Sequence, residues 1–338
     1  MDNASKEKLN QYFREATEAM GREDYSLAEE KYHMLAHLAL VLYAESEERI
    51  DRAEYYSLSR EYANKESYAK RMREDHEKLS GFHGEVSFSE FVGEEKAKAY
   101  LKEDIVLPFQ NGKFMDRKKS GLLIYGPHGV GKTPLVLSLA YELTMKIFSV
   151  NPLDDFRSDN YPDAINSVKR VFDSALEENN SLVFIEDPLC FFPKGEEDSI
   201  SYEISSLFLP LLKKEMRKAK RKKASVLFVA TTDCPDKLDD RLFEKGLFDD
   251  FLRLDLPDEK TREALARKYG PQFTEAYRSE FVCMTEGYPS GQITKMLQEL
   301  SAKKEMTREV LQEVIASEEK EWDDGFYEHI GEFERKIK

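Results

Sequence analysis

The sequence predicts an α/β domain on a parallel five-stranded sheet, preceded by an N-terminal three-helix bundle and followed by a helical C-terminal segment. Three observations predict it. The first eighty residues contain no proline and one interior glycine, Gly21, and their apolar residues recur at helical spacing. Beyond residue 84 the rhythm changes to short apolar runs alternating with helical stretches, the order of a parallel sheet covered on both faces. From about Asp258 onward only helix-like segments follow.

In the bundle, Leu9, Tyr12, Phe13, Ala16 and Met20 form one stripe, and Gly21-Arg22-Glu23-Asp24 ends it. A second helix carries Ala28, Tyr32, Leu35, Ala39 and Leu42. A third carries Tyr55, Leu58, Tyr62 and Ala69 on one face and Ala53, Tyr56 and Ala63 on another. Three helices joined by short turns make an antiparallel bundle over residues 1–78. The third helix has four tyrosines (Tyr55, Tyr56, Tyr62, Tyr68), more than one buried face needs, and amphipathic tyrosine suits a groove for a partner helix. Gly81 and Gly84 place a linker at 79–86. The α/β domain is expected over 87–257, with strands at Leu122–Tyr125, Ile147–Val150, Leu182–Ile185, Val226–Ala230 and Phe251–Leu254, and the helical segment over 258–338.

Composition narrows the function class. The 338 residues carry 66 acids against 51 bases, a net charge of -15, which excludes a general nucleic-acid binder. The longest uncharged run, Tyr32 to Ala44, is too short to span a bilayer, and nothing at the start reads as a secretory signal. Cys190, Cys234 and Cys283 are far apart and odd in number, so neither a disulfide scaffold nor a zinc site is expected, and the six histidines lack ligand spacing. The expected location is cytoplasmic. Lys213 to Lys223 holds eight basic residues in eleven, which reads as a solvated face; its alternative is a peripheral contact with anionic lipid or an acidic partner tail.

One motif carries chemistry. Gly126-Pro127-His128-Gly129-Val130-Gly131-Lys132-Thr133 follows a strand and opens a helix, in the pattern G-x-x-x-x-G-K-[ST]. Its glycines let backbone N–H groups close around phosphate oxygens at a helix N-terminus. Lys132 supplies a charge to the β- and γ-phosphates, and the Thr133 hydroxyl is a magnesium ligand. The strand Leu182–Ile185 ends in Glu186-Asp187, where acids would hold magnesium and orient an attacking water. The expected cofactors are therefore ATP and Mg2+.

The ordered series VSFSEFVG (86–93), Leu107-Pro108, GLLIYGPHGVGKT (121–133), VFIED (183–187), ATTDCPDKLD (230–239), Leu256-Pro257 and EGYPSGQI (286–293) resembles the AAA ATPases. Within them it is most similar to the meiotic-clade group: katanin, spastin, the ATPase that disassembles ESCRT-III filaments, and archaeal CdvC. The N-terminal bundle resembles their MIT domain. The resemblance implies an ATPase domain with a helical lid, in a hexameric ring of this chain or with a paralogue, recruited to membrane-associated filaments and remodelling ESCRT-III-like subunits. It also implies that Val92 and Gly93 lie against the adenine, that Gly291 approaches the nucleotide, and that Tyr161 is the pore-loop aromatic that grips substrate.

Three departures from the family pattern weaken the expected catalysis. The second acidic pair is reversed, so Asp187 is one methylene shorter than the usual glutamate; misplacing a catalytic group by about 1 Å costs ~100-fold. Asp233 stands where the family has an asparagine that senses the γ-phosphate, and an ionised carboxylate donates no hydrogen bond. Leu247 and Asp250 occupy the expected arginine-finger positions, and such a finger is worth ~10³–10⁵ in turnover. Lys245 and Arg241 are the nearby substitutes. A catalytically weakened, nucleotide-binding partner subunit is the alternative function.

Overall fold

The computed structural model describes residues 3–46, 48–116, 118–150, 161–178, 180–196, 199–270, 273–303, 307–320 and 325–337. The chain divides into two compact units, Met1–Ser80 and Gly81–Lys338.

The first unit contains α1 (Asn3–Gly21), α2 (Tyr25–Glu45) and α3 (Arg49–Ser80). Gly21 ends α1, and Asp24 caps α2 by accepting from the Leu27 N–H at 3.2 Å. The stripes anticipated from the sequence close on one another: Leu9, Ala16, Ala28, Leu35, Ala39, Tyr55, Tyr62 and Ala69 are all buried in a single cluster. Alanines at Ala16, Ala28, Ala39 and Ala69 let the helices approach closely, with Leu35 filling the centre. Salt bridges from Glu29 to Arg73 (2.8 Å) and from Glu15 to Lys31 (3.4 Å) tie α2 to α3 and to α1, and the Phe13 and Tyr62 rings (6.2 Å) join α1 to α3. Tyr55 and Tyr62 are core, whereas Tyr56 and Tyr68 are 50% and 53% exposed, the Tyr56 ring lying 5.8 Å from that of Tyr43.

The second unit is built on a mixed sheet of six strands in the order β1-β3-β4-β5-β2-β6. They are β1 (Phe82–His83), β2 (Gly121–Tyr125), β3 (Lys146–Val150), β4 (Asn180–Glu186), β5 (Ser225–Thr232) and β6 (Phe248–Arg253). β2 to β6 are parallel, and β1 adds an antiparallel edge on β3. The five parallel strands expected from the sequence are present, and β1 adds a sixth that is too short to leave a pattern. Within the expected linker, 79–86, α3 runs to Ser80 and β1 takes Phe82 and His83.

Helix α4 (Glu95–Leu101) runs on through a π turn, Lys102–Val106, into a last turn at Leu107–Gln110. Helices α5 (Lys132–Glu142), α6 (Tyr161–Glu178) and α7 (Ile200–Lys222) connect the parallel strands. Every residue of β2 is buried, as an interior strand of a sheet covered on both faces requires. The helical end comprises α8 (Glu259–Tyr269), α9 (Glu275–Met284), α10 (Ser290–Ala302), α11 (Arg308–Ser317) and α12 (Gly325–Ile337). α8 to α11 have their own core, with Leu265, Phe281, Ile293, Met296, Leu297 and Leu311 buried. α12 returns to the sheet, where Phe333 packs edge-on against Tyr125 at 5.2 Å and Phe243 at 5.1 Å. Among the described residues no helix is long and apolar enough to cross a membrane.

The compactness of the first unit carries a prediction. Residues 1–80 expressed alone should fold, and Leu35→Ala should cost them about 2–5 kcal/mol in urea titrations followed by circular dichroism. A loss under ~1 kcal/mol would mean that Leu35 is not the centre of that core.

Candidate nucleotide-phosphate site

Register brings the chemistry to one sheet edge. β2 pairs with β5 so that Tyr125 lies opposite Thr232, and β4 pairs with β5 so that Glu186 lies opposite Thr231. The residues just past these strand ends therefore converge: the glycine loop after Tyr125, Asp187 after Glu186, and Asp233 after Thr232. This is the carboxyl edge of a parallel sheet, where α/β proteins place their ligands. Asp187 N–H donates to Thr231 O at 3.0 Å and fixes the two acidic ends side by side.

The loop needs its glycines for different reasons. Gly129 (φ 73°) and Gly131 (φ 105°) are left-handed, which other residues adopt only under strain. A side chain at Gly126 would put a Cβ 2.3 Å from the Leu254 carbonyl oxygen. Lys132 is the first residue of α5 and is buried. Its Nζ donates to Gly126 O (2.9 Å) and Pro127 O (2.7 Å), and it forms an ion pair with Asp233. Burial lowers the ammonium's pKa, against the pull of Asp233. Thr133 Oγ1 donates to Glu186 Oε1 at 2.8 Å. Asp187 sits at φ 44°, and its carboxyl is held above the ordinary range by desolvation first, then by the charges of Asp233 and Glu186. His128 Nδ1 lies 2.9 Å from Asp233 Oδ2.

These groups line a cleft of about 910 Å³. Of the expected ligand-binding residues, Val92, His128, Gly129, Val130, Gly131, Lys132, Thr133, Glu186, Asp187, Asp233 and Gly291 line it. Gly126 and Pro127 stand behind it and offer their carbonyls to Lys132. Gly93 does not line it. It makes a left-handed turn (φ 89°) packed so tightly that a Cβ would meet Thr261 Cγ2 at 2.5 Å. Gly291 N–H, an unpaired donor of the first turn of α10, reaches Gly129 O at 2.8 Å and joins the helical lid to the loop. Tyr161 opens α6 in its backbone; its side chain lies outside the described residues.

Sequence reasoning missed the lid's share of the wall. Leu265, Lys268, Tyr269, Lys295 and Gln298 face the cleft from α8 and α10, and no local motif marks them. It also missed the Asp233–Lys132 pair, which only the alignment of β2 with β5 creates.

The expected arginine-finger positions, Leu247 and Asp250, are both inside the domain. Leu247 is buried, and Asp250 is fully buried within β6, where it accepts from Tyr100 Oη and from Lys119 Nζ at 2.7 Å. Tyr100 is pushed up to about 12, by burial first and then by Asp250, so it stays a donor. The exposed tip of this segment is Glu244-Lys245-Gly246, which has no arginine. Arg241 is committed elsewhere: it clamps Asp239 (2.7 Å from Nη2 to Oδ2) and stacks on Tyr202 at 4.3 Å. The basic run ends α7, with Lys213 paired to Glu244 and Lys218 to Asp173.

Residues 122–256 match the family described as ATPase family associated with various cellular activities (AAA). Relatives include vacuolar protein sorting-associated protein 4 of Dictyostelium discoideum, 28% identical over 63% of this chain and 49% of that protein. Spastin of Gallus gallus is 27% identical over 69% of this chain and 39% of its own length. The proteasome-activating nucleotidase of Methanothermobacter thermautotrophicus is 28% identical over 54% of this chain and 45% of its own. The matched stretch thus spans half or less of each of these relatives.

Beside Gly93, Glu94 has a carboxyl raised to about 7, by burial first and then by Asp255 and Asp258, with Lys98 opposing. A carboxyl that holds its proton more tightly when folded adds stability that is full below its unfolded value of 4.5 and lost as pH rises to about 7. Glu94→Gln, which copies the protonated form, should melt above wild type at pH ~8 and coincide with it below pH ~4.5. Parallel melting curves across that range would refute the assignment.

Proposed function

The chain carries an AAA ATPase domain, and on that premise we propose that it binds ATP with Mg2+ and uses turnover to remodel protein filaments. The observation that carries this is the grouping of Lys132, Thr133 and Glu186 at one sheet edge, beneath a lid joined to the loop through Gly291. Thr133 Oγ1 and Glu186 Oε1 are hard oxygen donors 2.8 Å apart, the donor type that suits magnesium. They would hold the ion, which would neutralise phosphate charge. Lys132 would bind the phosphates, and Asp187, with its raised affinity for a proton, would orient or deprotonate the attacking water. Val92 would lie beside the base.

The filament subunits would be of the ESCRT-III type, captured through the MIT-like bundle, whose Tyr56 and Tyr68 are free to meet a partner helix. The resemblance to vacuolar protein sorting-associated protein 4 and to spastin supports a filament cargo and a hexameric ring. In this reading the chain would work in the cytoplasm on membrane-associated filaments. Direct membrane contact would be peripheral, and nucleic acid is not a partner.

A second reading is favoured by the finger segment, whose exposed tip offers Lys245 but no arginine. Lysine lacks the planar fork that matches a phosphoryl group. In that reading the chain is a weakly hydrolytic partner subunit that needs an arginine donated in trans. ATP turnover of the full chain tests both. Wild type should turn over Mg-ATP, and Lys132→Ala and Asp187→Ala should each lower the rate by about 100-fold or more. Addition of an arginine-bearing paralogue should raise the rate if the partner reading holds. Turnover untouched by either substitution would refute the catalytic assignment.

A further inference from the structure

We infer that Asp233 sets the phosphate preference of this cleft, so that the chain binds a nucleoside diphosphate more tightly than the triphosphate. The inference rests on the nucleotide reading above and deepens it. An ammonium has three N–H donors. In Lys132 all three are engaged: by Gly126 O at 2.9 Å, by Pro127 O at 2.7 Å, and by Oδ1 of Asp233. The first two acceptors are neutral and belong to the loop itself. The third is a carboxylate from the end of β5, and it is the one that an incoming phosphate oxygen would have to displace.

Displacement does not remove the competitor. Oδ2 of Asp233 is held by His128 Nδ1 at 2.9 Å, and the Asp233 side chain is 38% exposed. Released from Lys132, it stays at the mouth of the loop, solvated and charged. An ionised carboxylate has no hydrogen to give a phosphate, so the lost ion pair is not traded for a new bond. Glu186 and Asp187 stand on the same sheet edge as Asp233, so a displaced Asp233 carboxylate stays among like groups. The terminal phosphate brings the most negative charge to the end of the polyphosphate that Lys132 serves, so it meets this carboxylate most strongly. A diphosphate ends one group earlier and brings less.

Calorimetry on the full chain tests this with two probes, Mg-ADP and the magnesium complex of the β,γ-imido analogue of ATP. Wild type should bind ADP about tenfold or more tightly than the analogue, which is about 1.4 kcal/mol. Asp233→Asn should strengthen analogue binding by about tenfold while changing ADP binding by less than about threefold. Asp233→Ala removes the charge without adding a donor and should relieve the discrimination as well, which separates repulsion from the gain of an amide. The wild-type comparison decides the sign even if a variant misfolds. Wild-type affinities within about threefold, or variants that shift both probes equally, would overturn the inference alone. Absence of heat with both probes in all three proteins would overturn the nucleotide reading itself, and the inference with it.

Discussion

A single ammonium group organises the centre of the second unit. Lys132 is buried and charged, and a charge out of water must be matched by acceptors or it loses its proton. The fold supplies those acceptors from its own backbone, by turning the carbonyls of Gly126 and Pro127 toward the start of α5. That turn is possible because Gly126 packs directly on the Leu254 carbonyl, where any side chain would collide, and because Gly129 and Gly131 take left-handed conformations. The backbone geometry of the loop and the position of the lysine are thus one constraint, seen from two ends.

The same constraint reaches the helical lid. Gly129 carries a carbonyl that accepts from Gly291 N–H, and a side chain at Gly129 would press on Pro289. A ligand that shifts Gly129 would act directly on the hydrogen bond that seats the first turn of α10. Because α10 contributes Ile293, Met296 and Leu297 to the lid core, that turn cannot move without the lid. On the proposed reading, coupling between a phosphate and the lid would need no long pathway, only this backbone contact and a packed helix.

How legible this was depends on which interactions are local. The glycine loop, the strands and the stripes of Leu9, Leu35 and Tyr62 were readable because their physics repeats over a few residues. β1 was not, since two residues on an edge leave no period. The start of β6 was misread for a physical reason: Phe248, Asp250 and Leu252 form an alternating buried face, but the central member is an acid. A polar residue at an inward position hides a strand, so the expected strand began only at Phe251, after Asp250. Tyr100 and Lys119, 150 and 131 residues away in the chain, make that burial tolerable, and nothing near Asp250 announces them. The lid residues Lys268 and Tyr269 were unreadable for the same reason: they reach the cleft through tertiary packing alone.

The acids at the sheet edge give the site its character. Glu186, Asp187 and Asp233 meet one buried cation, Lys132, and the exposed imidazole of His128 at the sheet edge itself, while Lys268 and Lys295 face the cleft from the lid. A polyphosphate would add more negative charge to that balance, and at about 4 Å like charges repel by some 1–4 kcal/mol between bulk-water and near-surface screening. Backbone N–H groups of the loop offset part of this, as does the dipole of α5, but they were present before the ligand and do not grow with its charge. On the proposed reading, a divalent cation held by Thr133 and Glu186 would offset part of this charge as the ligand binds. A loop with an asparagine in place of Asp233 would need the metal less, because its lysine would meet phosphate without an internal rival.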